Sequence, residues 1–334
     1  MNLLEVRDLR VEFRTPDGPV RAVDGASLIV PSGSLVGLVG ESGCGKTTMG
    51  RALIGVMAKT ARITGGQILF KGRDLTALSP NERRAMRWRD IAFVPQSAMN
   101  SLDPVYRVED QLGQILTERG GLSRAAARER SEQLFGLIGI DTTRLRDYPH
   151  QFSGGMRQRV AIAMALALEP SLIVADEPVT ALDVIVQRQI LDVFRNLRDR
   201  LGISVVLVTH DISVVAYACD RVAVMYAGKV VEEGSVQEVL KAPAHPYTMG
   251  LSNAFPDLTG EMADLIPIEG DPPDLRAPPP GCRFVPRCPF VLAACSISAE
   301  PVELGSGRIV ACRRHHESAV LRERAREDST WKPH

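Results

Sequence analysis

Over the first 245 or so residues, short unbroken apolar runs alternate with longer stretches of helical spacing. SLVGLVG, QILFKG, DIAFVPQ, SLIVADEP, SVVLVTHD and RVAVMYAGKVVEEG read as strands, several of them bounded by glycine or proline. Helices are predicted after GCGKTT, over SRAAARERSEQLFGLIGI, in the run after Gly155, and over VIVQRQILDVFRNLRDRLG. This alternation predicts an α/β core. Between VPQ at 94–96 and Ser153 only helical and loop signals occur, so a helical insertion is expected at about 97–152.

Near residue 267 the pattern changes. PIEGDPPDLRAPPPGC carries six prolines and suits neither a helix nor a central strand, so a linker is expected there. The closing SAVLRERAREDSTWKPH is charged and is expected to be solvated or frayed. No repeat of fixed period is apparent.

Composition narrows the options. At 334 residues the chain is long enough for one large domain with an appendage, or for two domains. Its 40 basic and 40 acidic residues cancel, so no global field favours nucleic acid, and no nucleic-acid partner is expected. MNLLEVRDLRVEF lacks the apolar core of a signal peptide. The longest apolar run, around VAIAMALAL, is well short of the roughly 18 residues that cross a bilayer, so membrane association is expected only through a partner.

Against this background GESGCGKTT, at 40–48, stands out as a phosphate loop with an apolar strand before it and a helix after it. The amides of Ser42, Gly43, Cys44, Gly45 and the residues that follow can wrap phosphates. Lys46 brings a point charge, Thr47 can ligate magnesium, and Thr48 completes the motif. Cys44 is expected to contribute its amide and not its thiol, and Cys219 to pack in the core. SLIVADEP ends a strand on two carboxylates, Asp176 for magnesium and Glu177 for polarising a water. An Asp-Glu pair elsewhere would be a solvated strand end; the phosphate loop upstream gives this one a catalytic meaning. A second phosphate-facing helix opening lies in FSGGMRQRV, where Ser153, Gly154 and Gly155 leave amides bare. One nucleotide does not need two such openings in one chain.

The order of these elements resembles the nucleotide-binding subunit of ABC transporters, over about residues 3–245. The matching pieces are GESGCGKT (Walker A), VPQ (Q-loop), FSGGMRQR (signature), LIVADEP (Walker B), ALD (D-loop) and THD (H-loop). The signature departs from the commonest form at Phe152 and Met156. The resemblance implies an ABC-type P-loop NTPase core with a helical subdomain, ATP and Mg²⁺ as cofactors, and ATP hydrolysis. It also implies a head-to-tail dimer in which Ser153, Gly154, Gly155 and Asp183 of one subunit meet ATP held by the other. By the same resemblance Glu177 is general base or water-polariser and His210 contacts the γ-phosphate. Gln96 joins Thr47 and Asp176 at magnesium and relays nucleotide state, and Phe13 stacks on adenine.

AHPYTMGLSNAFP, the proline-rich linker and GCRFVPRCPF resemble the C-terminal extension of dipeptide and oligopeptide importer ATPases, a subfamily that includes nickel importers. ESGCGKT and SAMNSLDPV look like the same subfamily. This implies a cassette at 1–245 and an extension at 246–334. Implied partners are a second ABC ATPase, identical or related, two permease subunits and an extracytoplasmic substrate-binding protein, with the chain on the cytoplasmic face of the cell membrane. Cys282, Cys288, Cys295 and Cys312 are spaced C-x5-C-x6-C-x16-C, without C-x2-C knuckles. They are read as candidate ligands of a [4Fe-4S] cluster, with a zinc site or metal-free thiols as alternatives. His315 and His316 are expected at the surface. The competing class, a non-transport ABC ATPase of DNA repair or translation, is disfavoured by the single cassette, zero net charge and lack of heptads.

Overall fold

The computed structural model describes residues 1–96, 101–253, 266–305 and 307–332. The part of the expected insertion at 97–100 therefore lies outside the described residues. The strands, in chain order, are β1 (Asn2–Thr15), β2 (Gly18–Pro31), β3 (Leu35–Val39), β4 (Ala61–Phe70), β5 (Arg73–Asp74), β6 (Ile91–Val94), β7 (Leu172–Asp176), β8 (Ser204–Thr209), β9 (Arg221–Tyr226), β10 (Lys229–Ser235), β11 (Val302–Glu303) and β12 (Ile309–Val310). The helices are α1 (Lys46–Leu53), α2 (Pro80–Met86), α3 (Val108–Gln114), α4 (Arg124–Leu137), α5 (Gly154–Ala165), α6 (Val184–Leu201), α7 (Ile212–Ala218), α8 (Val236–Lys241), α9 (Pro246–Asn253), α10 (Ser318–Ala325) and α11 (Asp328–Trp331). The chain divides into two compact units.

The first unit comprises Met1, Pro31–Leu35 and Ala77–Val208. Its strands β6, β7 and β8 run parallel, with Ile91 beside Leu172 and Asp176 beside Val208. Every residue of β7 and β8 is buried, as expected of parallel strands covered on both faces. From 101 to 152 no strand occurs among the described residues: the segment holds α3, a π-helical turn at Ile115–Arg119, α4 and short 3-10 turns at Thr142–Arg146 and Pro149–Gln151. Helix α6 begins on Asp183, whose carboxylate caps the Val186 amide, and stops at Gly202 in a left-handed conformation.

The second unit comprises Asn2–Val30, Val36–Thr76 and Thr209–His334. An antiparallel sheet of order β2-β1-β4-β5 lies in it, together with the strand run β11-β12-β10-β9-β3. The long strands β1 and β2 were not among the sequence-predicted ones, because their charged residues interrupt the apolar runs. RVAVMYAGKVVEEG is not one strand but two, β9 and β10, paired antiparallel. Ala227 and Gly228, at φ 45° and 85°, make the turn between them.

Two further expectations about the tail are corrected. The proline-rich stretch is irregular yet packed: Ile266 is buried, Ile268 and Leu275 rest on the core, and the Leu275 carbonyl accepts the Arg21 amide. The terminal segment is not frayed. It forms α10 and α11, and buries Leu321, Ala325 and Trp331 in a cluster with Val39, Val224 and Tyr247. Trp331 Nε1 donates to the Ala325 carbonyl at 2.8 Å, which satisfies the one polar atom of that ring.

Candidate nucleotide site

The phosphate loop follows β3, whose five residues are all buried. Two of its glycines are required by close approach. A Cβ on Gly40 would stand 2.0 Å from the Met225 carbonyl oxygen, and one on Gly45, at φ 106°, would stand 2.1 Å from that of Ala22. Gly45 caps α1 without a side-chain bond, and no acidic residue occupies the first turn. Lys46 is 5% exposed, and its ammonium donates to the Gly40 and Glu41 carbonyls at 2.7 and 2.8 Å. Ser42 and Gly43 are exposed, and Thr47 and Thr48 are partly so. Cys44 is buried, and burial pushes its thiol above the ordinary range, which leaves it unreactive.

Two flanking groups belong to the same unit. Phe13 is half-buried on β1, so it is not a closed core residue. His210 is exposed at the end of β8. Glu41 was missed by sequence reasoning: its carboxylate is gripped by Arg287 of the extension, and its amide donates to the Tyr247 hydroxyl at 2.9 Å.

The first unit carries the carboxylates and the signature. Asp176 ends β7 fully buried, and Glu177 follows in the left-handed region at φ 47°, its amide donating to the Val208 carbonyl at 2.8 Å. Gln96 and Thr180 both donate to Glu177 Oε2, at 2.7 and 3.0 Å. Ser153 is exposed and caps α5, accepting from the Met156 amide at 3.3 Å. Both unusual signature residues meet Arg144: its guanidinium lies 4.7 Å from the Phe152 ring centroid, and its Nη1 donates to Met156 Sδ at 3.6 Å. Gly155 is buried against α6, and exposed Asp183 is followed by Val184 and Ile185, 68% and 72% exposed.

The structure brings all four tail cysteines to one cavity, lined also by His245 and Phe290. Burial pushes Cys288 up to about 12 and Cys312 up to about 11, and it raises Cys282 as well. Among the described residues, however, no group of three or more His, Cys, Asp or Glu side chains is drawn together as a metal site. His316 is exposed, while His315 is partly buried with Nδ1 2.8 Å from the Cys312 carbonyl. No described helix is long and apolar enough to cross a membrane.

Residues 23–180 match the ABC transporter family, and residues 231–295 match the oligopeptide/dipeptide transporter C-terminal region. The chain is 47% identical over 296 residues to the dipeptide transport ATP-binding protein DppD of Bacillus subtilis, covering 88% of each. It is 45% identical over 313 residues to the oligopeptide transport ATP-binding protein OppD of Salmonella typhimurium, covering 93% of each. It is also similar, at TM-score 0.63 and 27% identity, to a dimeric ATP-binding cassette in a post-hydrolysis state bound to ADP and Pi, covering 70% of this chain and 98% of that one.

Proposed function

Because the chain belongs to the ABC transporter family, in the branch of the oligopeptide/dipeptide transport ATP-binding proteins, we propose that it is the energy-coupling ATPase of a di- or oligopeptide importer. The observation that carries the reading is the pairing, in one chain, of an intact phosphate loop with the C-terminal region matched at 231–295. In this reading residues 1–245 are the cassette and 246–334 the peptide-importer extension.

The chemistry follows from the side chains. Lys46 is held on two carbonyls and already stands as a charge at the head of α1, where the terminal phosphates of ATP bind. Thr47, Asp176 and Gln96 offer oxygen donors of the kind magnesium takes, and the cation supplies neutralisation of the phosphate charge. Glu177 polarises the attacking water, with His210 toward the γ-phosphate and Phe13 against the adenine. Gln96, bonded to Glu177, links the carboxylate to the helical segment that follows it.

Ser153 and Asp183 are both exposed, beside a helix start that leaves Val184 and Ile185 uncovered. This supports a head-to-tail dimer, of two copies or with a related chain, in which the signature of one subunit closes on ATP held by the other. ATP then favours the closed pair, and hydrolysis releases it. The remaining partners are two permease subunits and an extracytoplasmic binding protein, through which the chain sits peripherally at the cytoplasmic face of the membrane.

The extension's cysteines are the proposed ligands of a [4Fe-4S] cluster. Their shared cavity supports this. Iron and sulfide analysis after anaerobic purification tests it; a protein lacking both removes the cluster. The transport reading is tested by reconstituting the full transporter in vesicles and measuring ATP hydrolysis and peptide uptake. Hydrolysis that survives Lys46→Ala, or stimulation by nickel and not by peptides, would overturn it.

A further inference from the structure

An acidic side chain stands within the phosphate loop. Glu41 is the second residue of that loop, where an unbalanced carboxylate repels a polyphosphate. Its charge is met from the opposite end of the sequence. Arg287 forks onto it, Nη1 to Oε2 at 2.7 Å and Nη2 to Oε1 at 3.1 Å, and its side chain is only 5% exposed. The fork itself is held: Nε and Nη2 donate to the Glu269 and Ile268 carbonyls at 2.9 and 3.0 Å, and Nη1 reaches the Tyr226 hydroxyl at 3.3 Å.

Glu41 is anchored at two more atoms. Its amide donates to the Tyr247 hydroxyl at 2.9 Å, and the Tyr247 ring is packed against that of Tyr226 with centroids 4.5 Å apart. Its carbonyl is one of the two that hold the Lys46 ammonium. A displacement of Glu41 therefore moves a lysine anchor as well as a charge.

We propose that Arg287 is a positioning residue for nucleotide binding: the extension neutralises Glu41 and fixes the loop that holds Lys46, so ATP affinity depends on the docked tail. The proposal rests on reading 40–48 as the ATP site. It gives the extension a role in nucleotide binding itself, beyond marking a subfamily. A guanidinium suits the task because its planar fork grips both carboxylate oxygens while its remaining donors stay satisfied.

The test measures MgATP affinity and thermal stability of the full-length chain as wild type, Lys46→Ala, Arg287→Ala, Glu41→Gln and the Arg287→Ala/Glu41→Gln double variant. Arg287→Ala is expected to weaken MgATP binding by roughly ten- to thirtyfold, with a smaller loss at high salt. The double variant is expected to recover most of that loss, because the charge Arg287 balanced is gone. A merely structural arginine predicts no such recovery. Should Arg287→Ala not fold, Arg287→Met, which keeps the apolar stem, is compared in the same way. Wild-type affinity in the Arg287 variants, or no recovery in the double variant, overturns the proposal. A chain whose MgATP binding ignores Lys46→Ala overturns the underlying site assignment, and this proposal with it.

Discussion

The side-chain amide of Gln96 donates to the carboxylate of Glu177 at 2.7 Å, joining the end of β6 to the residue that follows β7. Thr180 donates to the same oxygen at 3.0 Å, so one carboxylate oxygen carries two donors. Glu177 also holds a left-handed backbone, at φ 47°, which a non-glycine residue occupies only where its surroundings over-determine it. Such an arrangement ties the conformation of Gln96 to the carboxylate that polarises water in the proposed reaction.

Replacing Glu177 by Gln keeps the shape and a hydrogen-bond acceptor but removes the charge. ATP turnover is expected to fall by about 10²- to 10⁴-fold. ATP-dependent association, followed by light scattering with MgATP, is expected to persist. Near-normal hydrolysis in that variant would take the role away from Glu177.

Mixing chains altered at Ser153 with chains altered at Lys46 tests the composite site. In a head-to-tail dimer of this chain, each mixed pair keeps one site with an unaltered Lys46 facing an unaltered Ser153. Activity is therefore expected to reappear on mixing two preparations that are inactive alone. If the mixture stays as inactive as its components, the two residues do not meet across a dimer.

A methyl group on Gly155 would lie 2.3 Å from Val186 Cγ1. Gly155→Ala is expected to cost about 1–3 kcal/mol through overpacking between α5 and α6. Adding Val186→Ala should return part of that loss, since it removes the clashing atom. Urea titration of the three variants reads both changes; equal stability of Gly155→Ala and wild type would contradict the contact.

Glu232 is a buried anchor of the extension. Its side chain has no exposed surface, accepts the Ala244 and His245 amides at 2.9 Å each, and pairs with Arg308 at 2.6 Å. Glu232→Ala leaves the Arg308 charge and two amides without that partner, at an expected cost of about 3–5 kcal/mol. The loss is checked by denaturant titration, and a shift below about 1 kcal/mol would show that this carboxylate does not hold the tail.

His245 and Glu233 give opposite pH dependences. Burial holds His245 down to about 3 from 6.5, so its contribution to stability is complete above 6.5 and is lost as pH falls below that value. Burial, opposed by Arg221, raises Glu233 to about 7 from 4.5, so its contribution is complete below 4.5 and fades as pH rises through 7. His245→Asn keeps an acceptor for the Tyr247 amide but does not titrate. The stability gap between wild type and this variant is expected to narrow from pH 7 to pH 5. A gap that stays constant would show that His245 is not held neutral.

Some of this protein is determined by neighbouring residues alone. A phosphate loop needs its glycines, lysine and threonine in one continuous stretch, and a helix cap needs a serine followed at once by the helix, so GESGCGKTT and FSGGMRQRV are legible without coordinates. Parallel strands buried on both faces write themselves as apolar runs, and β3, β7 and β8 were read correctly for that reason. Other features depend on what lies opposite. In the terminal segment Leu321 and Trp331 are too sparse to mark a buried face, and it is the cluster around Tyr247 that buries them. Arg287 and Glu41 lie 246 residues apart. No local spacing pairs them; only the folding of the extension onto the phosphate loop brings opposite charges to hydrogen-bond distance and excludes the water that would otherwise screen them.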